Sequence, residues 1–160
     1  MGIGLGRMTI MHVVLVEPEI PPNTGNIARL CAVTGSELHL IEPLGFRVDD
    51  AQMRRAGMDY WNQVTWHRWK NWDDFCSHLE VGARWWWIEG GGPKAYHEVK
   101  FGPNDYLVFG RETSGLPRVW LETMPEKWLR IPMKNPAARS LNLSNCVAIV
   151  LFEGLRQQGF

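Results

Sequence analysis

Hydrophobic and polar positions along the chain follow two alternating periods. Short apolar or β-branched runs recur between turn residues. They are His12-Val13-Val14-Leu15-Val16 ahead of Glu17-Pro18, Leu38 to Ile41 ahead of Pro43, Arg84 to Ile88, Tyr106 to Phe109, and Leu129 to Ile131. Runs of this length and makeup predict buried strands. Between them lie stretches with helical spacing. Pro21 to Gly25 is expected to be a turn, and a helix starting at Asn26 puts Ile27, Leu30, Cys31 and Val33 on one side before Thr34-Gly35. Polar helices are expected over 49–58 and over 71–79, the latter capped by Asn71. Leu143, Val147, Val150, Leu151 and Gly154 form one stripe of a final helix, where Gly154 would let another helix approach closely. Strands separated by helices predict an α/β fold: a mostly parallel sheet flanked by helices on both faces.

Composition narrows the class. The chain has 160 residues, 45% of them hydrophobic, which suits a single globular domain with a real core. No apolar run approaches the roughly 20 residues needed to cross a bilayer. Residues 1–10 read as a loose leader ahead of a domain spanning 11–160, and Met8 or Met11 are alternative natural starts. Cys31, Cys76 and Cys146 are odd in number and widely spaced, which fits reduced thiols in a cytoplasmic protein. That pattern argues against disulfides and against a zinc site, so no metal is expected. Net charge is zero, but residues 111–160 carry 7 basic and 4 acidic side chains while residues 1–110 carry 10 and 13. A modest basic face is compatible with this, although ordinary solvated surface is the simpler reading of the charge alone.

Three segments hold more polar chemistry than the fold requires. Arg139-Ser140-Leu141-Asn142-Leu143-Ser144-Asn145 precedes the final helix, which needs at most one capping residue. Gly110-Arg111-Glu112-Thr113-Ser114-Gly115-Leu116-Pro117 follows a strand, where ligands gather in open α/β sheets. Its spacing fits neither a Walker A loop nor a dinucleotide fingerprint. Asn23-Thr24-Gly25-Asn26-Ile27-Ala28-Arg29 places an arginine on the first helix with no ion-pair partner at i±4.

Together these segments resemble the SPOUT class of RNA methyltransferases, and within it the small TrmL-type tRNA 2′-O-methyltransferases of the wobble nucleotide. Glu17 to Cys31 resembles that family's first motif, Gly110 to Pro117 its second, and Ile131 to Asn145 its third. Ile41 to Phe46 and Arg54 to Tyr60 add to the likeness, which spans residues 12–159. The resemblance implies a C-terminal deep trefoil knot, one of the rare exceptions to unknotted topology. It implies S-adenosyl-L-methionine as cofactor, held by Ile88, Gly110, Ile131, Ser140 and Leu141. Arg29 takes the position of the family's catalytic arginine, and Glu112 and Asn145 match polar positions that order the site, where a direct catalytic role and a structural cap or loop hydrogen bond both stay open for each. Because a guanidinium surrenders its proton with great difficulty, stabilisation of the ribose oxygen is the alternative to a general-base role for Arg29.

The resemblance further implies a homodimer with its site at the subunit interface, and a tRNA anticodon stem-loop as substrate. Arg54, Arg55, Arg111 and Arg139 are the candidate phosphate contacts. Trp85-Trp86-Trp87 is expected in the core, while Trp61, Trp66, Trp69 and Trp72 lie in a polar region and are candidates to face a partner. Gly90-Gly91-Gly92 and Lys134 to Ala138 depart from the family pattern without removing a site residue. Two alternatives stay open: a non-catalytic RNA-binding knotted relative, and a 2′-O-methyltransferase of ribosomal RNA.

Overall fold

The computed structural model describes residues 9–49, 51, 55 and 58–160. Seven strands form one sheet: β1 (His12–Val16), β2 (Glu37–Ile41), β3 (Trp66–Trp69), β4 (Trp85–Ile88), β5 (Lys94–Ala95), β6 (Tyr106–Phe109) and β7 (Trp128–Arg130). Every pairing is parallel, in the order β3-β2-β1-β6-β4-β7-β5. Among the described residues, four α-helices with both ends in view cover it: α1 (Pro21–Thr34), α2 (Trp72–Ser77), α3 (Arg118–Thr123) and α4 (Leu143–Gln157). The expected α/β architecture is therefore present.

Side chains on the central strands alternate between two apolar layers, as a strand's period of two requires. Val13, Leu15, Leu38, Leu40, Leu107 and Phe109 pack with Ile27 and Cys31 of α1 and with Val147, Val150 and Leu151 of α4. Val14, Ile41, Val108 and Trp87 pack on the other face with Phe75 of α2 and Leu121 of α3. Trp72 belongs to this second layer, its ring centroid 5.2 Å from Trp87 and 4.9 Å from Trp120. The tryptophan run of β4 lies in the interior as expected, Trp87 buried and its two neighbours half-buried.

Several local expectations change. Pro21 and Pro22 do not form a turn; they occupy the first two positions of α1. Proline's fixed φ and missing N–H suit a helix's first turn, so the helix begins five residues earlier than Asn26. Its C-terminus is as expected, with Gly35 left-handed at φ 68°. The helix expected over 71–79 is Trp72–Ser77, capped by Asn71 Oδ1 accepting from Asp74 N at 2.8 Å. Trp66 and Trp69, candidates for a partner surface, instead belong to β3 and pack half-buried against the two apolar layers. α3 and β5 had no counterpart in the expected pattern. The helix expected over 49–58 falls largely on residues outside the described set. The space beside Gly154 is taken by Met11: an added Cβ would lie 2.8 Å from Met11 Cε, at the entry to β1.

Buried Asp105 ties the start of β6 to its neighbours. Its carboxylate accepts from Arg84 Nε at 3.0 Å, Arg84 Nη2 at 2.6 Å, Trp86 Nε1 at 2.9 Å and Gly102 N at 2.8 Å. Removing the acceptor strands Trp86 Nε1 and Gly102 N, while the half-exposed Arg84 guanidinium can turn to water. Asp105→Ala is expected to lower unfolding free energy by about 2 kcal/mol, measured by urea denaturation; a change below about 0.5 kcal/mol would show the network to be dispensable.

Candidate active site

β4, β6 and β7 end side by side, and the chain beyond each of them turns over one cavity of about 460 Å³. Ile88 closes β4, Phe109 and Gly110 close β6, and Ile131 follows β7. Ser140 and Leu141 reach the same cavity from the irregular segment ahead of α4. All five residues expected to hold a cofactor thus line one space. Its position beyond the strands' carboxyl ends is where open parallel sheets bind ligands, and its size suits a small molecule.

The cavity wall depends on one close backbone crossing. Arg111 N donates to Gly115 O at 3.3 Å and Gly115 N donates to Arg111 O at 2.9 Å, closing residues 111–115 into a tight loop. A Cβ on Gly110 would sit 2.2 Å from Gly115 C and 2.3 Å from Leu116 N, so no larger residue fits there. Glu89, which lines the cavity, braces the loop from below. Its carboxylate accepts from Gly90 N and Leu116 N, both at 2.9 Å, and its carbonyl accepts from Trp128 Nε1 at 3.1 Å. Sequence reasoning missed Glu89; the available signal was an acidic residue directly after a strand and before a glycine run. Cys146 also lines the cavity, and burial pushes its thiol pKa up to about 11, so it contributes a neutral wall.

Glu112 joins the three polar segments. One carboxylate oxygen accepts from Glu19 N at 2.8 Å; the other accepts from Ile20 N at 3.0 Å and Asn23 Nδ2 at 3.3 Å. α1 has no side-chain cap of its own, so Glu112 supplies the negative charge that a helix N-terminus favours. Asn23 Oδ1 then accepts from Asn142 Nδ2 at 3.0 Å, and Asn142 caps α4 by accepting from Ser144 N at 2.9 Å. Thr113 adds a second tie by donating its N–H and hydroxyl to Glu19, whose carboxyl is held below the usual range chiefly by that hydroxyl.

The remaining expected residues are distributed unevenly. The α4 cap is Asn142; Asn145 is exposed on the helix's first turn, outside the cavity lining. Arg29 is likewise exposed and outside the lining, its guanidinium 4.9 Å from the centroid of the Tyr60 ring. Arg111 lines the cavity with its charge paired to Glu17 at 2.7 Å. Arg139 also lines it, exposed and with no ion-pair partner among the described residues. Arg55 is exposed but does not reach the cavity. Arg54 lies outside the described residues.

Comparison with known proteins gives the class. The profile of the SpoU rRNA methylase family matches residues 10–152. The chain is 52% identical over 154 residues to a tRNA (cytidine(34)-2′-O)-methyltransferase of Saccharophagus degradans, covering 94% of this chain and 97% of that protein. It is 52% identical over 153 residues to the Burkholderia ambifaria protein of the same name, again covering 94% and 97%. A structure solved to explain 2′-OH methylation of C/U34 on tRNA superposes with a TM-score of 0.91 at 40% identity, covering 98% of this chain and 95% of that one. An S-adenosylmethionine-bound rRNA methyltransferase of Sinorhizobium meliloti superposes with a TM-score of 0.82 at 26% identity, over 94% of this chain and 57% of that one. The chain belongs to the SpoU methylase family.

If Glu112 holds the entry to α1, Glu112→Ala frees two backbone N–H groups there. Hydrogen exchange at Glu19 and Ile20 is expected to accelerate roughly tenfold or more, matching the about 1–3 kcal/mol cost of stranded donors. Unchanged exchange at both amides would remove the clamp.

Proposed function

We propose that this protein transfers a methyl group from S-adenosyl-L-methionine to the ribose 2′-hydroxyl of the wobble pyrimidine, nucleotide 34, in tRNA. One observation carries this reading: a chain about half identical to tRNA (cytidine(34)-2′-O)-methyltransferases gathers Ile88, Gly110, Ile131, Ser140 and Leu141 around a single cavity. The cavity fits the cofactor's chemistry. Ile88, Ile131 and Leu141 offer apolar walls to an adenine. The bare Gly110 backbone permits close approach, and Ser140 supplies a hydroxyl for a polar edge.

When bound, the cofactor supplies an electrophilic methyl group; the chain's task is to orient the ribose oxygen and manage its proton. Arg29 is assigned to donate hydrogen bonds to that oxygen as negative charge grows on it, while a phosphate oxygen or water accepts the proton. Stacking on Tyr60 restrains the guanidinium, and orientation of this kind supplies much of such a rate. Glu112 is assigned a positioning role, since both its oxygens already hold backbone and Asn23 donors. Asn145 is assigned an ordering role on the exposed first turn of α4.

An arginine outside the cavity's lining suits a homodimer in which one subunit presents Arg29 to the cavity of the other. Exposed Ile20, Met133 and Leu141 at the cavity rim would be covered in such an assembly. Residues 131–142 are assigned to the threaded part of a trefoil knot, a reading supported by their passage over the ends of β4 and β6 before α4 packs against β6. Arg139, which lines the cavity and has no ion-pair partner among the described residues, is the leading phosphate contact for an anticodon stem-loop, with Arg54, Arg55 and Arg111 as further candidates. A tRNA substrate implies the cytoplasm; among the described residues no helix is long and apolar enough to cross a membrane.

The ribosomal RNA alternative draws on the family's description and on the Sinorhizobium meliloti neighbour. Labelled methyl transfer to bulk tRNA and to ribosomal RNA, followed by nucleoside mapping, separates the two. Label on the 2′-oxygen of nucleotide 34 is expected, and label confined to ribosomal RNA would replace this reading with the other. Arg29→Ala is expected to abolish transfer while cofactor affinity, measured by calorimetry, stays within about twofold. Ser140→Ala is expected to weaken cofactor binding by roughly tenfold, the value of one lost hydrogen bond of about 1.5 kcal/mol. Full activity in the first variant, or unchanged affinity in the second, would remove that residue from its assigned role.

A further inference from the structure

A second polar cluster lies at the amino ends of the strands, at the opposite edge of the sheet from the cavity. Parallel register sets His12 of β1 beside Glu37 of β2, and His39 of β2 beside His67 of β3. All four share one sheet face, because Glu37 and His39 are two residues apart on their strand. His12 Nδ1 lies 3.0 Å from His39 Nε2 and 3.8 Å from Glu37 Oε2, and His67 Nε2 lies 3.0 Å from the same Glu37 oxygen. The ligand-capable atoms of His12, Glu37 and His39 all fall within 4.8 Å of one another. They open onto a groove of about 1110 Å³.

We propose that His12 Nδ1, Glu37 and His39 Nε2 form a binding site for a divalent transition-metal ion, Zn²⁺ being the best chemical match, with a fourth position open to the groove. Zinc–ligand bonds of about 2.0–2.1 Å in a tetrahedron put neighbouring ligand atoms about 3.3 Å apart. The observed 3.0 and 3.8 Å bracket that edge. Two imidazoles with one carboxylate favour Zn²⁺ and its neighbours over Mg²⁺ or Ca²⁺, which prefer all-oxygen sites. The surroundings supply the outer contacts that such sites use. His67 holds the Glu37 carboxylate, and the Tyr106 ring stacks on His12 at a centroid distance of 4.1 Å. Burial lowers the pKa of both imidazoles. The expectation of no metal rested on cysteine spacing, which does not bear on histidines assembled by sheet register.

One neighbour competes with the ion. Trp69 Nε1 donates to His39 Nδ1 at 3.1 Å, so in the metal-free protein the His39 proton sits on Nε2 and is shared with His12 Nδ1. Coordination through Nε2 moves that proton to Nδ1, and the Trp69 N–H has to turn away. Trp69 is therefore an antagonist of the site, and its removal should strengthen binding. A structural hydrogen-bond cluster without a metal would show no such gain.

The test is titration of chelator-stripped protein with Zn²⁺ against a chromophoric competitor, repeated with Co²⁺ as a spectroscopic probe. One equivalent should bind, and Co²⁺ should give the intense visible bands of a tetrahedral site. Glu37→Gln, which keeps the side chain's shape, and His39→Ala should each weaken binding by more than about tenfold, the least that loss of an outer partner costs. Trp69→Phe should tighten it. If His39→Ala fails to fold by circular dichroism, Glu37→Gln decides alone. Absence of stoichiometric binding, or wild-type affinity in Glu37→Gln, overturns the proposal; the latter would assign the ion to other histidines such as exposed His97.

Discussion

The Glu112 carboxylate is a single acceptor group on which three distant parts of the chain converge. It receives the first N–H groups ahead of α1 and the Asn23 amide, and through Asn23 it reaches Asn142 at the head of α4. α1 and α4 both start at this network, so the direction in which each leaves the site is fixed by the same few hydrogen bonds. A charged acceptor is suited to the task, because bonds to ionised groups are shorter and stronger than neutral ones. Arg111–Glu17 and Thr113–Glu19 repeat the connection between the same two segments. The cavity is consequently framed by loops, yet those loops are braced across sequence separations of more than 90 residues.

Patterning made the sheet legible and left the site half-legible. The apolar runs at 12–16, 38–41 and 106–109 became strands because burial on both faces leaves no other reading for short β-branched stretches. Trp66-His67-Arg68-Trp69 escaped notice because an edge strand is covered on one side only, and its polar residues disguise the alternation. α3 is six residues long, too short for a helical period to register. Strand order is a property of packing, and no local pattern encodes β4 lying between β6 and β7.

Among the expected site residues, those at strand ends line the cavity, while two of those on helices do not. Ile88, Gly110 and Ile131 sit at strand ends, so locating the strands located them. Arg29 and Asn145 lie on helices, where one step in sequence turns a side chain by about 100°. Both are exposed and outside the cavity's lining within a single chain. Glu89, Asn23 and Asn142 carry the bracing that the motifs alone did not single out, since an acid or amide near a turn looks like ordinary surface.

The cavity is walled by four stretches that meet only in the folded chain: residues 20–23, 88–90, 109–115 and 131–146. No fragment of the unfolded polypeptide can reproduce it, so whatever occupies it binds the native state alone. Occupancy and folding are then linked through mass action, adding about 2.7 kcal/mol at a ligand concentration roughly a hundredfold above Kd. The melting temperature of this protein becomes a readout of what fills the space, available before any substrate RNA is in hand.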